Sequence, residues 1–290
     1  MDEDRRNFLR SAAALALSAC AGPQAPTPRA QPRPSSTASI ALLHLAPEDG
    51  AVEQNRNALM HAVQVAAQAG ANLVMTPELS VSGYAFADLI GTDWIAPQPD
   101  PWLRELQGLV AKLGPTVLVG LPERDAKTGH LHNSLIAIGP DGAILGRHRK
   151  IRTLKVGSEA WSSPGTDVES VTLPWFGEVG MFICADAVDA STALSLKEQG
   201  AKVLVSAANW APGPYGPDGE WERCSALTSL PVIVCNRTGV GRTLDFRQAE
   251  SAVVCGGTRK LSLSSAEPVV FLIRWDREAE EPLDYARLSL

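Results

Sequence analysis

The sequence predicts an α/β fold, and three observations carry the prediction. Short apolar runs bounded by turn residues alternate with longer stretches of helical periodicity. The first pair of runs, at residues 40–45 and 72–76, flanks a helical stretch at 51–69 that places Val52, Leu59, Ala62, Val63, Ala66 and Ala67 on one face and stops at Gly70. That is a βαβ unit, which requires parallel strands and a right-handed crossover. Third, reactive side chains recur just beyond the carboxyl ends of such runs, the edge at which α/β sheets gather ligands and chemistry. Glu78 follows the run at 72–76, and Cys184 ends the run at 179–183.

The remaining elements follow in order. Asp100-Pro101 is an N-cap with proline at the first helical position, and the helix runs to Leu113 with Gly114 as its stop. A buried strand is expected at 116–120. Runs at 131–138 and 143–148 are joined by Gly139-Pro-Asp-Gly142, an antiparallel hairpin that delivers Arg149 and Lys150. Beyond Cys184 the alternation resumes: helix 190–199, strand 202–206, an irregular loop at 212–219, helix 220–230 and strand 231–235. Three antiparallel strands, at 252–255, 260–264 and 267–275, are expected to close the sheet. The folded domain spans 40–276, and the charged segment 277–290 reads as a weakly structured tail.

The chain of 290 residues is 45% hydrophobic with net charge -6, room for one large domain and no basic cluster that would suit nucleic acid. Cys20, Cys184, Cys224, Cys235 and Cys255 form no CxxC pair and no zinc spacing. Residues 1–19 read as an export signal: Arg5-Arg6 precedes Phe8-Leu9, and a small apolar run follows. The segment resembles a twin-arginine signal. Leu17-Ser18-Ala19-Cys20 resembles a lipobox, which makes Cys20 the expected lipidation site and membrane anchor. Residues 20–39, rich in proline and poor in apolar surface, are expected to form a disordered tether. These features predict an exported protein on the periplasmic side.

Glu78, Lys150 and Cys184 together suit attack on an amide or nitrile carbon. A carboxylate takes the thiol proton, an ammonium steadies the oxyanion, and the backbone N–H of Ala185 faces the same charge. No metal or cofactor is required. His130 and His132 lie two apart on a strand without a third ligand nearby, and read as surface residues. Trp210, Trp221 and Tyr215 suit either a pocket wall or the core. There is no Gly-x-Ser-x-Gly elbow, no P-loop and no dinucleotide-binding turn.

At this point the chain resembles the nitrilase, or carbon–nitrogen hydrolase, superfamily from about residue 40 to 275. The resemblance is carried by Thr76-Pro-Glu-Leu-Ser-Val-Ser-Gly-Tyr84, by Asp141-Gly-Ala-Ile-Leu-Gly-Arg-His-Arg-Lys150 with Asn133-Ser134 upstream, and by Gly180-Met-Phe-Ile-Cys-Ala-Asp186. It implies a single-domain four-layer α-β-β-α sandwich, with Glu78 as general base, Lys150 as oxyanion support and Cys184 as nucleophile. Glu159 resembles the second glutamate that orients the lysine. Asn209-Trp210 is expected at the substrate, and Asn236, Gly239 and Ser251 match a later segment. His148 stands where the family usually has Tyr, and Ala185 where a large residue is common. Cys-Ala-Asp is nearer to the amide-cleaving branches than to true nitrilases, and the segment around Leu244-Asp-Phe246 is an insertion. The resemblance implies hydrolysis of a small carboxamide by a homo-oligomer. Acyl transfer to an amine, and a lipid-anchored binding protein without turnover, are the alternatives.

Overall fold

A computed structural model describes residues 36–154 and 157–290. The export signal, Cys20 and the first sixteen residues of the expected tether lie outside the described residues.

The strands form two mixed sheets built on one plan. The seven-stranded sheet has the order β13-β12-β1-β2-β3-β4-β5. In it, β1 (Thr37–His44), β2 (Leu73–Met75) and β3 (Thr116–Arg124) are parallel. Antiparallel β4 (Leu131–Ile138) and β5 (Ile144–Arg149) extend one side. The six-stranded sheet has the order β11-β10-β9-β8-β7-β6. Its parallel centre is β7 (Gly177–Ile183), β8 (Val203–Ala207) and β9 (Val232–Cys235). It is flanked by β6 (Ser170–Leu173) and by the β10 (Ser251–Cys255) and β11 (Thr258–Leu263) hairpin.

The period-2 alternation of the strands makes the layers. In β1, Ala41 and Leu43 pack with Leu59, Val63, Leu103 and Leu106 of helices α1 (Val52–Gln68) and α3 (Pro101–Leu113), between which the chain forms the short α2 (Ala87–Ile90). Ile40 and Leu42 point the other way, into a core shared with Met181, Val205 and Ile233 of the second sheet. That core continues to Leu196 of α4 (Ala190–Glu198) and Trp221 of α5 (Glu220–Thr228). The result is the expected four-layer sandwich. Helix α3 starts as its sequence dictates: the Asp100 carboxylate accepts the Leu103 N–H at 2.7 Å, and Gly114 ends the helix at φ 90°.

Three expectations need correction. The terminal segment is no weakly structured tail: β13 (Glu281–Ser289) pairs antiparallel with β12 (Val269–Asp276) at the edge of the larger sheet, and an Arg274–Asp284 ion pair bridges the two. The residues at 267–275 do not close the second sheet; β12 crosses back and pairs with β1. The domain also starts earlier than residue 40, because Thr37 and Ala38 already pair with Asp276 and Trp275.

Candidate active site

Each candidate side chain sits where a strand ends. After β2 the chain turns through Thr76–Ser80, and this turn is fastened to β3: Gly120 N–H donates to Thr76 Oγ1 and Ser80 N–H to the Gly120 carbonyl, both at 2.9 Å. A Cβ at residue 120 would lie 2.4 Å from the Pro77 carbonyl oxygen, so only glycine permits this approach. The turn presents Glu78, which is fully buried. Its backbone is held from the second sheet, because Asn209 Nδ2 donates to the Glu78 carbonyl at 2.9 Å.

Lys150 follows β5, with its N–H on the Asn133 carbonyl at 2.8 Å. The buried ammonium lies 2.7 Å from Glu78 Oε1 and 2.8 Å from Glu159 Oε1. Asn133 Nδ2 donates to the same two oxygens, at 2.7 and 3.0 Å. Glu78 Oε2 is buried with no hydrogen-bond partner among the described residues. One oxygen of Glu78 is therefore fixed, and the other is left to receive a proton.

Cys184 follows Ile183 of β7 and opens a short 3-10 turn, Cys184–Val188. Its φ of 48° lies in the left-handed region, which is costly for a side chain with a Cβ and is typical of residues held for function. The Asn209 backbone N–H favours the thiolate form of the Cys184 sulfur.

Electrostatics couple the three groups. Burial pushes the Cys184 thiol well up, and the Glu78 charge adds to this against the opposing pull of Lys150. Burial also raises the Glu78 carboxyl, with Lys150 working against it, which makes Glu78 a better base than an ordinary carboxylate. Burial alone would lower Lys150, but the charges of Glu78, Cys184 and Glu159 hold the ammonium well above its usual value. Two carboxylates around one ammonium have a clear use. When Glu78 is protonated, Glu159 still balances Lys150, and the positive charge stays available.

A second buried pair locks the strand carrying the lysine to the turn carrying the cysteine. His148 Nε2 lies 2.8 Å from Asp186 Oδ2. Asp186 also accepts the N–H groups of Ile151 (3.0 Å), Arg152 (2.7 Å) and Ile183 (3.0 Å). Its carboxylate thus joins the residues just after Lys150 to the residue just before Cys184. Burial would raise Asp186, but His148 and the N–H groups of Arg152 and Ile183 bring it below its ordinary value.

The site opens into a cavity of about 430 Å³, lined at the chemical end by Tyr84, Lys150, Cys184, Ala185 and Asn209. Trp210 is part of its wall. Asn236 grips the Trp210 backbone at both ends, with 3.1 and 2.9 Å bonds, and Trp221 meets the indole edge to face at 5.3 Å. Trp221 itself is core, whereas Tyr215 is exposed at the cavity mouth. Ser251 is not in the cavity; its hydroxyl accepts the Asn236 N–H at 3.0 Å and so supports Trp210 indirectly. His132 is buried against the Ser163 carbonyl at 3.0 Å, against the expectation of two surface histidines. Its strand register turns it inward beside the hairpin, while His130 is exposed. Among the described residues, no group of three His, Cys, Asp or Glu is placed to hold a metal.

Sequence reasoning missed the His148–Asp186 bond, although the position of Asp186 two residues after the cysteine was a signal. It also missed Arg152, Leu154, Val188 and Leu244 at the mouth of the cavity.

The carbon–nitrogen hydrolase family model matches residues 39–259. The chain belongs to the carbon–nitrogen hydrolase family. It is 27% identical to a probable nitrilase, C965.09, of Schizosaccharomyces pombe, over 72% of this chain and 78% of that one. It is 31% identical to mouse omega-amidase NIT2, over 67% of this chain and 70% of that one. Among solved structures, Saccharomyces cerevisiae Nit3, of branch 10 of the nitrilase superfamily, superposes with a TM-score of 0.73 at 20% identity, covering 83% of this chain and 91% of that one. A cysteine-to-alanine mutant of the Nesterenkonia AN1 amidase gives 0.72 at 19% identity, covering 84% and 93%. These likenesses establish the nitrilase fold, and with the family match they make the chain a hydrolase.

Proposed function

We propose that this enzyme hydrolyses a small carboxamide through a thioester on Cys184. The observation that carries the reading is the Lys150 ammonium, held between Glu78 and Glu159 in the wall of the cavity that contains the Cys184 sulfur. The Cys184 proton passes to Glu78 Oε2 as the sulfur attacks the amide carbon. Lys150 Nζ and the Ala185 N–H hold the resulting oxyanion; the first N–H groups of a helical turn have no partner inside it. Collapse breaks the C–N bond, and the amine leaves with the proton from Glu78. Glu78 then takes a proton from water, the hydroxide attacks the thioester, and the acid departs as the thiol is restored. Asn209 and Trp210 position the substrate. An amide is favoured over a nitrile by the Cys-Ala-Asp sequence and by the omega-amidase relatives.

We further propose that the enzyme works on the periplasmic side, tethered by a lipid on Cys20, a reading supported by the twin-arginine and lipobox patterns alone.

The test is ammonia release from a panel of small amides, carbamoyl-amines and nitriles, with Cys184→Ala as control. Turnover with an acyl-cysteine adduct in the intact mass, both lost in Cys184→Ala, is expected. More than about a tenth of the activity surviving that substitution would remove Cys184 from the chemistry.

A further inference from the structure

The substrate cavity has an uneven distribution of chemistry. Its polar groups gather near the sulfur: Lys150, Asn209 and the Tyr84 ring, which senses the charges of Glu78, Lys150 and Cys184. Its mouth is apolar and open. Leu154 is 48% exposed, Val188 40%, Leu244 43% and Tyr215 95%, and all four line this one cavity. Trp210 and the buried Ala211 add to the apolar lining, and the exposed prolines 212 and 214 line its rim. Among the described lining residues there is no carboxylate, and Arg152, the charged residue there besides Lys150, is exposed to solvent, where its charge is screened.

Exposed apolar side chains scattered singly need no explanation, but a cluster leading into a pocket marks a ligand groove. This wall is also rigid. Trp210 is fixed by Asn236 at its backbone, by the Tyr215 carbonyl at its indole N–H (2.8 Å) and by Trp221 at its ring. Prolines 212 and 214 remove backbone freedom from the loop that follows Trp210. A preformed apolar wall binds an apolar group with little ordering cost. A compact polar amide would leave this surface wet and gain nothing from it.

We propose that the substrates are carboxamides of apolar acyl chains: the amide carbon sits at Cys184, and the chain runs along Trp210 toward Leu154, Val188, Leu244 and Tyr215. The proposal rests on Cys184 as the nucleophile and names the acyl group that this nucleophile receives. It sets the enzyme apart from one built for short, charged half-amides.

The experiment compares kcat/KM for primary amides from acetamide to octanamide with that for half-amides of dicarboxylic acids of matching length. We expect a rise of about fourfold per methylene, the Boltzmann factor for burying one CH₂, until the cavity is filled. Half-amides are expected to lag behind neutral amides of equal length. Leu244→Ser should reduce the advantage of octanamide over acetamide. A second measurement does not need turnover: n-alkanoic acids, the products, should protect Cys184 from iodoacetamide more strongly with each added carbon. If no amide is hydrolysed but protection still grows with length, the hydrolytic reading fails and the apolar subsite stands. A flat series in both measurements, or faster cleavage of half-amides, overturns the proposal. So does a flat series accompanied by self-association that Leu244→Ser abolishes, which would assign the mouth to a contact between copies.

Discussion

Replacing His148 tests whether the buried His148–Asp186 pair positions the chemistry or only stabilises the fold. His148→Phe keeps a planar ring but removes the 2.8 Å bond to Asp186 Oδ2. A hydrogen bond to a charged group contributes about 1.5–3 kcal/mol. Part of that loss is offset, because His148 Nδ1 is buried without a partner and Phe has no such atom to desolvate. We expect a net loss of about 1–2 kcal/mol, or about 2–8 °C in Tm for a domain of this size. The effect on rate should be larger than that. Asp186 fixes Ile151 and Arg152, just past Lys150, to Ile183, just before Cys184. Misplacing a catalytic group by an ångström costs on the order of 10²-fold, so kcat should fall tenfold or more while KM moves little. His148→Gln retains an N–H donor and should restore most of the rate. Steady-state kinetics on the best amide of the panel, alongside thermal melts, decide the matter. If His148→Phe lowers Tm but leaves kcat within about twofold, or if Gln behaves no better than Phe, the pair has no positioning role.

Three further outcomes are expected. Lys150→Met should lower kcat by about 10²–10³, as loss of an oxyanion donor does, and should also destabilise the fold by leaving two buried carboxylates face to face; a rise in KM alone would make Lys150 a binding residue. Burial lowers the His44 imidazole from 6.5 to about 4, and its Nε2 has no partner to accept a buried proton. The unfolded chain therefore takes up a proton that the fold refuses, so stability should fall by about 2–3 kcal/mol as the pH drops from 7 to 4.5. In urea melts His44→Gln should lose that part of the pH dependence, and an unchanged slope would refute the assignment. Finally, Cys184, Cys224, Cys235 and Cys255 are free thiols, and Cys224 and Cys235 are buried away from the cavity. Alkylation without reductant should modify Cys184 first and all four of these cysteines after denaturation; a mass two hydrogens lighter would reveal a disulfide.

What the sequence disclosed, and what it hid, follows from the range of the interactions. Glu78 and Cys184 were legible because each follows an apolar run, and Lys150 because it follows a hairpin with standard turn residues; all three are local signals. The first β-strand and helix were legible for the same reason. The partner of β1 was not: β12 joins it from more than two hundred residues away, and no local pattern records that pairing. β13 was missed because both its faces are largely solvated, so its nine residues lack the alternation that marks a strand. It is held instead by its ladder to β12 and by cross-strand charge. Strand β6 is four residues long and sits at an edge, too short for a period to register. The bond between His148 and Asp186 spans 38 residues and two sheets, and only the fold brings the two together.

The division of the site between the sheets explains its cost and its tolerance of that cost. Glu78 and Lys150 come from the seven-stranded sheet, whereas Cys184 and Asn209 come from the six-stranded one. Three buried charges, Glu78, Lys150 and Glu159, surround one another there, and a buried ion cluster is a poor source of stability even when well bonded. At this end the sheets are also tied by polar contacts, among them Asn209 to the Glu78 carbonyl, Asp186 to the chain after Lys150, and the Cys235 thiol to the Met75 carbonyl at 3.2 Å. These bonds set distances; the apolar core that Ile40, Leu42, Met181 and Ile233 share between the sheets holds the layers together. Stability and catalytic geometry thus come from different parts of one interface. A substitution in the shared core should first be felt as lost stability, and one in the polar ties as lost rate.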